Sequence, residues 1–240
     1  MKKLFLKEVN STNDYAKKHF GELEDKTIIY TDFQTNGHGR LGNSWLSSEK
    51  TNLPDLYMSL ILKPPKTAYR FYPNFTQYVS IVICELLDYY NVISEIKWPN
   101  DILISGKKIA GILAEKTSTM GGFVIGVGIN LNRDKSEILK IDKPATSLNL
   151  EINKDVNRDE ILDLFIEKFL ENYQNFIEQG FPSISNKYKS RVKFIGKELV
   201  IRTGRNEKII GIAKNITEQG ELIINTKEDE EQIIISGEIL

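Results

Sequence analysis

One cysteine, Cys84, stands in 240 residues, so no internal disulfide can form. It lies in the apolar run Val79 to Leu87 and reads as a small buried hydrophobe, which suits a reducing cytosol and a cytoplasmic protein. Histidine is nearly as scarce, with two residues. His19 and His38 are far apart in sequence, and no Cys/His cluster has metal-ligand spacing. Charge of one sign is missing too: 32 basic against 33 acidic residues give a net charge of −1, leaving no global basic field to hold DNA or RNA non-specifically. No stretch approaches the length of a membrane span. The opening Met1 to Leu6 turns charged at Lys7-Glu8, too soon for a signal-peptide apolar segment. Neither a Walker loop nor a Gly-x-Ser-x-Gly elbow occurs, and there is no internal repeat.

What is present is enough apolar material, 40% of residues, for one large domain and a small one. Strands are expected over Lys3 to Val9, Thr27 to Phe33 and Leu56 to Leu62, with a helix from about Asn13 to Phe20 to which Asn10-Ser11-Thr12-Asn13 offer N-cap side chains. Apolar spacing predicts a long buried helix over Tyr72 to Tyr90 and an amphipathic one over Arg158 to Gln179, ended by Gly180-Phe181-Pro182. Between them come strands at Glu95 to Trp98, Asp101 to Ser105, Lys108 to Thr117 and Phe123 to Asn130, with a tight turn at Ser105-Gly106. From Val192 the chain alternates apolar and polar residues in four short runs, which predicts a small antiparallel barrel or sandwich. The expected architecture is α+β, a mixed sheet with helices packed to one side, and the expected division is 1–189 and 190–240.

The most informative stretch is Thr31 to Trp45. Gly37, Gly39 and Gly42 let backbone approach a ligand, Arg40 offers a forked cation that matches a phosphate, and Trp45 offers a flat face to a nucleobase. The stretch reads as a ligand lid or as an ordinary glycine-rich surface loop. The spacing Gly37-x-Gly39-x-x-Gly42 also satisfies the dinucleotide-binding pattern, but turn residues and Pro54 follow where that pattern requires a helix. A second constellation runs from Lys97 to Leu113. Asn100, Asp101 and Lys108 converge beside Ala110-Gly111, as a metal–phosphate site would, or as turn residues and a solvated hairpin end would. A third is Gly126 to Asn132, where alternate glycines open one strand face and Asn130 offers a carboxamide to an adenine or ribose edge. A sheet crossing that needs no side chain there is the other reading. Ser11-Thr12-Asn13 is a helix cap that is compatible with holding a polar ring.

Together and in this order, Ser11-Thr12-Asn13, Gln34 through Trp45, Lys97 through Leu113 and Gly126 through Asn130 resemble the biotin protein ligases, over about residues 8 to 150, with a tail similar to that family's small C-terminal β-domain. The resemblance implies a class II synthetase-like catalytic fold plus an SH3-like barrel. It implies two steps: biotin and ATP give biotinyl-5′-AMP and pyrophosphate, and a lysine of a biotin carboxyl carrier domain, as in acetyl-CoA carboxylase, then takes the biotinyl group. By the same resemblance Ser11, Thr12, Asn13, Gln34, Gly37, His38, Gly39 and Gly111 would serve biotin. Arg40, Trp45, Asn100 and Asn130 would serve the adenylate, and Lys108 both. Lys108, Arg40 and Asp101 would be catalytic, with Mg²⁺ at Asp101. His38 and Asn43 stand where relatives often have Arg, and the segment Thr51 to Asp55 is unusual in holding Pro-Asp. Only ten residues precede Ser11, so a monofunctional ligase without a DNA-binding module is expected. An exposed sheet edge is expected to meet the carrier domain or a second copy of the chain, a homodimer in the latter case. The rival readings are a lipoate or octanoate ligase and a non-catalytic biotin-binding protein.

Overall fold

A computed structural model describes residues 1–48, 52–117, 121–203, 207–228 and 230–240. β1 (Lys2–Val9), α1 (Thr12–Lys18) and β2 (Thr27–Gln34) make a parallel β–α–β unit. Ser11 caps α1 by accepting from the Asp14 N–H, and Lys17 and Lys18 complement the dipole at its other end. β3 (Leu56–Leu62) follows, then α2 (Tyr72–Tyr89), β4 (Glu95–Lys97), β5 (Asp101–Ile104), β6 (Lys107–Lys116) and β7 (Phe123–Ile129). Short helices α3 (Lys135–Ile138) and α4 (Leu148–Ile152) lead to the long α5 (Arg158–Gln179) and to α6 (Ser185–Arg191). Asn157 caps α5 and Gly180, at φ 70°, ends it.

The first seven strands form one sheet in the order β1-β2-β3-β7-β6-β5-β4, antiparallel except for the β1–β2 pair. Its edges are β1 and β4. Because side chains alternate along a strand, each strand sorts its residues between two faces. Leu56, Met58, Leu60 and Leu62 of β3 turn to α2 and α5 and join the main core. Phe75, Tyr78, Phe123, Phe169 and Phe176 interlock there, with Tyr78 and Phe176 stacked at 4.5 Å between ring centres. Ile61 of β3, with Ile29 and Val124, turns the other way and packs on Ala16 and Phe20 of the α1 segment. Helices therefore cover both faces, not one as expected. The reason is connectivity: a parallel β1–β2 pair needs a crossover, and α1 is that crossover.

The tail folds as a second, five-stranded antiparallel sheet in the order β11-β10-β9-β8-β12. Its strands are β8 (Glu198–Thr203), β9 (Lys208–Ile216), β10 (Leu222–Thr226), β11 (Glu231–Ile234) and β12 (Gly237–Ile239). β12 was not anticipated; three residues carry too little alternation to be read. Its pairing with β8 sets Glu238 opposite Arg202. Leu199, Ile201, Leu222, Ile224 and Ile239 join the same apolar core as the large sheet, so the two sheets share an interior.

Candidate active site

α1 covers only part of its face of the large sheet. The glycine loop lies over another part, at Gly111 and Gly128. Leaving β2 at Gln34, it makes one 3-10 turn at Arg40–Gly42, with Leu41 at φ 55° and Gly42 at φ 77°, and then runs extended to Ser48. Among the described residues no α-helix opens after the glycines, so the dinucleotide-binding reading fails on structure. The loop closes on itself: the Gly39 N–H donates to the Asn43 carbonyl (2.7 Å) and the Trp45 N–H to the Gly37 carbonyl (2.9 Å). Residues 49–51, which include Thr51 of the unusual segment, lie outside the described residues.

The alternate glycines do open a strand face, but this chain's own side chains enter it. A methyl group on Gly128 would sit 2.5 Å from the Trp45 indole Cζ2, and one on Gly111 would sit 2.9 Å from its Cζ3. Gly128 and Gly111 are paired neighbours on β7 and β6, so together they form a flat platform on which the indole lies. The same logic applies at Gly126, where a methyl group would lie 2.9 Å from the Asn13 carboxamide carbon. The Trp45 indole N–H is buried and finds no acceptor among the described residues.

A β-bulge explains how Lys108 reaches the same face. On β5, Asp101 pairs with Gly111 and Ile102 with Ala110, but Leu103 pairs with Lys108, leaving Ile109 as the extra residue. In an unbroken strand Lys108 and Gly111, three apart, would face opposite ways. The bulge re-aims Lys108 onto the Gly111 side. The Lys108 ammonium then meets Asp101 Oδ1 at 2.7 Å and lies 5.4 Å from the centre of the Trp45 ring. The turn feeding this strand is Ser105-Gly106, with positive φ at both residues, as a tight hairpin requires. Asn100 donates to Asp101 Oδ1 (3.1 Å) and accepts from Arg40 Nη1 (3.1 Å), tying the lid's guanidinium to the carboxylate.

The far end of the site is a polar hydrogen-bonding network. Gln34 Oε1 accepts from the Thr12 N–H (2.8 Å) and hydroxyl (3.1 Å). The Asn13 Nδ2 donates to Glu115 (2.8 Å), and the Ser59 hydroxyl lies within hydrogen-bond distance of both Thr12 Oγ1 (2.7 Å) and Asn13 Oδ1 (2.5 Å), which share its one proton. Ser59 is opposite Gly126 in the β3–β7 register, so one row of small residues leaves the space these side chains use.

These pieces line one cavity of about 240 Å³, which brings together Ser11, Thr12, Asn13, Gln34, His38, Gly39, Arg40, Trp45, Asn100, Asp101, Lys108, Gly111 and Asn130. Gly37 is not on its wall. It is buried behind, where a methyl group would sit 2.7 Å from the Trp45 carbonyl. Asn130 lines the cavity but is 3% exposed, and its Nδ2 donates to the Thr146 carbonyl (2.9 Å). His38 sits 3.9 Å from Asp14 and 4.0 Å from Glu115. Arg133, Lys143 and Glu238 also line the cavity and were not singled out from sequence. Lys143 and Glu238 pair at 3.0 Å, joining the loop after α3 to the second sheet. No local signal marks them, because Lys143 sits in a plain polar loop and Glu238 in the unread β12.

Electrostatics at the mouth favour an anion. Burial pushes the Arg40 guanidinium pKa down, against the pull of Asp101 and Glu238. Burial likewise lowers Lys97, again opposed first by Asp101. Among the described residues, Arg40, Lys97, Lys108 and Lys143 meet Asp101 and Glu238 in these interactions, and Asp142 also lines the cavity, so cations outnumber carboxylates there. Among the described residues no group of three or more His, Cys, Asp or Glu side chains could cage a metal. Mg²⁺, however, is ordinarily held by one or two carboxylates plus substrate phosphates, and Asp101 beside these cations fits that donor set.

Residues 5–132 match the family model described as the biotin/lipoate A/B protein ligase family, and residues 194–240 match the biotin protein ligase C-terminal domain. The biotin protein ligase from Aquifex aeolicus, solved in complex with biotin and ATP, is similar over all of this chain and 97% of its own, with 30% identity and a TM-score of 0.85. The bifunctional ligase/repressor BirA of Bacillus subtilis is 30% identical over 84% of this chain, which spans 62% of that relative's length. The biotin--[acetyl-CoA-carboxylase] ligase of Paracoccus denitrificans is 28% identical over 91% of this chain and 92% of its own. No helix among the described residues is long and apolar enough to cross a membrane.

Proposed function

Because the chain belongs to the biotin/lipoate A/B protein ligase family, we propose that it is an ATP-dependent biotin protein ligase. It forms biotinyl-5′-AMP and then passes the biotinyl group to a lysine of a carboxyl carrier domain. One observation carries this reading: a single cavity joins a polar hydrogen-bonding end, a glycine platform covered by an indole, and a cationic mouth. A ureido ring needs the first, a nucleobase the second, and a triphosphate the third.

In the first step an anion attacks an anion. The biotin carboxylate oxygen bonds to the α-phosphorus and pyrophosphate leaves. Arg40 and Lys108 offset the repulsion and the charge that develops on the phosphoryl oxygens. Lys108 has three donors, so it holds Asp101 and still reaches a reacting oxygen. Asn100 keeps the Arg40 guanidinium turned toward the same centre. The orphaned Trp45 N–H gains an acceptor when a polar ligand lies beside it, removing the cost of an unpaired buried donor. Asp101 and the nucleotide phosphates would hold Mg²⁺, which supplies further charge neutralisation when bound. In the second step the carrier lysine amine attacks the acyl carbon and AMP leaves. The lid over the platform keeps water from the anhydride meanwhile. The same reading divides the chain into a ligase domain, 1–189, and a C-terminal domain, 190–240.

The test is ATP–pyrophosphate exchange with biotin and lipoate in competition. Biotin-dependent exchange that excess lipoate does not suppress supports the proposal. Exchange driven better by lipoate would point to the aliphatic substrate, and biotin binding without exchange would leave only a binding protein.

A further inference from the structure

The unusual Pro-Asp before β3 has a structural role. Asp55 is fully buried. Its Oδ1 accepts from the backbone N–H groups of Leu131 (2.7 Å) and Asn132 (3.2 Å), and its Oδ2 from the Tyr57 hydroxyl (2.8 Å) and Arg133 Nε (2.7 Å). Arg133, 3% exposed, does not stop there. Its Nη2 donates to the Tyr57 hydroxyl (3.1 Å) and to the carbonyl of Leu46, the residue after Trp45. The Tyr57 hydroxyl also accepts from the Ser48 N–H (2.7 Å). One rigid guanidinium therefore has one edge on a core carboxylate and the other on the lid. Burial opposes its charge, but Asp55 and Tyr57 more than restore it.

A buried ion pair is a poor source of net stability, since apolar residues of the same volume do as well. Apolar residues cannot hold a main-chain carbonyl, however. We propose that Asp55 and Arg133 are a positioning pair for the lid: Asp55 aims the guanidinium, and the guanidinium fixes the Leu46 carbonyl so that the Trp45 indole stays flat on Gly111 and Gly128. The geometry stands by itself. Its kinetic consequence rests on the reading of Trp45 as a wall of the adenylate site.

Arg133→Lys separates the two ends of the pair. A lysine keeps a charge for Asp55, but its single nitrogen cannot span to Leu46 as a fork does. Trp45 and Trp98 are the two tryptophans, so a Trp98→Phe background leaves Trp45 as the sole reporter. In that background Arg133→Lys should shift Trp45 emission to the red and raise its quenching by acrylamide, with the melting midpoint little changed. In the full chain it should raise the KM for ATP about tenfold with a smaller change in kcat, as a misplaced binding wall does. The uncharged pair Asp55→Asn/Arg133→Gln, which leaves no lone buried charge, should release Trp45 in the same way. Trp45 emission and quenching that stay at the wild-type values in both variants overturn the proposal, as do changes that only follow the fraction unfolded. If the wild type makes no adenylate yet Trp45 is released, the lid pair stands and the ligase reading fails.

Discussion

The two faces of the large sheet are built from the same strands to opposite specifications. The face under α2 and α5 is apolar, continuous and aromatic, with Phe75, Phe169 and Phe176 fully buried. The face under α1 and the lid is notched by Gly111, Gly126 and Gly128 and carries Asp101 and Lys108, with the lid's Arg40 above them. On β3 and β7 a shift of one residue passes from one specification to the other: Leu60 to Ser59, Val127 to Gly128. The first face supplies cohesion, and the second uses that rigidity to hold charge and space that would be unstable by themselves. Substitutions on the two faces should therefore fail in different assays.

The largest effect expected is on the aromatic face. Phe176→Ala should cost about 3–5 kcal/mol in chemical denaturation while activity per folded molecule is unchanged. A loss of activity without a loss of stability would break the division of labour. On the other face, Lys108→Ala should lower adenylate formation about 10²- to 10³-fold, or about 3–4 kcal/mol, with an unaltered melting curve. Full activity in that variant removes Lys108 from the mechanism. Gly128→Ala should be milder, about 1–3 kcal/mol, because its methyl group meets the Trp45 indole. Titration should show that cost as weaker biotin and ATP binding, and unaltered affinity would mean that the indole has somewhere else to go. The smallest effect belongs to the join with the second sheet. Burial raises the Glu238 pKa, but hydrogen bonds from Lys143 and Arg202 outweigh it and hold the carboxyl below its ordinary 4.5. A depressed carboxylate contributes stability above that range and loses it as pH falls through the folded value. The melting gap between wild type and Glu238→Gln should thus be present at pH 7 and close below 4.5. It should be worth less than about 1 kcal/mol, since Lys143 is 66% exposed.

Much of this was legible in the order of residues. The α5 range, the Ser105-Gly106 turn and the strands to β7 follow from periodicity and turn chemistry, which are local. The meeting of Asn100, Asp101 and Lys108 was also legible, because a hairpin brings them together, whereas Arg40 was joined to them only by the family resemblance. The bulge at Ile109 was not. It depends on a register choice that moves one residue, and the sequence there alternates no differently from its neighbours. Arg133 and Asp55 were hidden for another reason: 78 residues separate them, and only the β3–β7 pairing makes them neighbours. The glycines were read correctly as space but not as space for Trp45 and Asn13, since what fills a notch is decided by tertiary packing.

Isothermal titration with biotin and then with ATP and Mg²⁺, followed by mass analysis of the bound small molecule, tests the central claim most directly. The account predicts biotin binding first and then a tightly held species with the mass of biotinyl-5′-AMP, with release of pyrophosphate. ATP turnover without that species, or an adenylate formed as readily from lipoate, would contradict it.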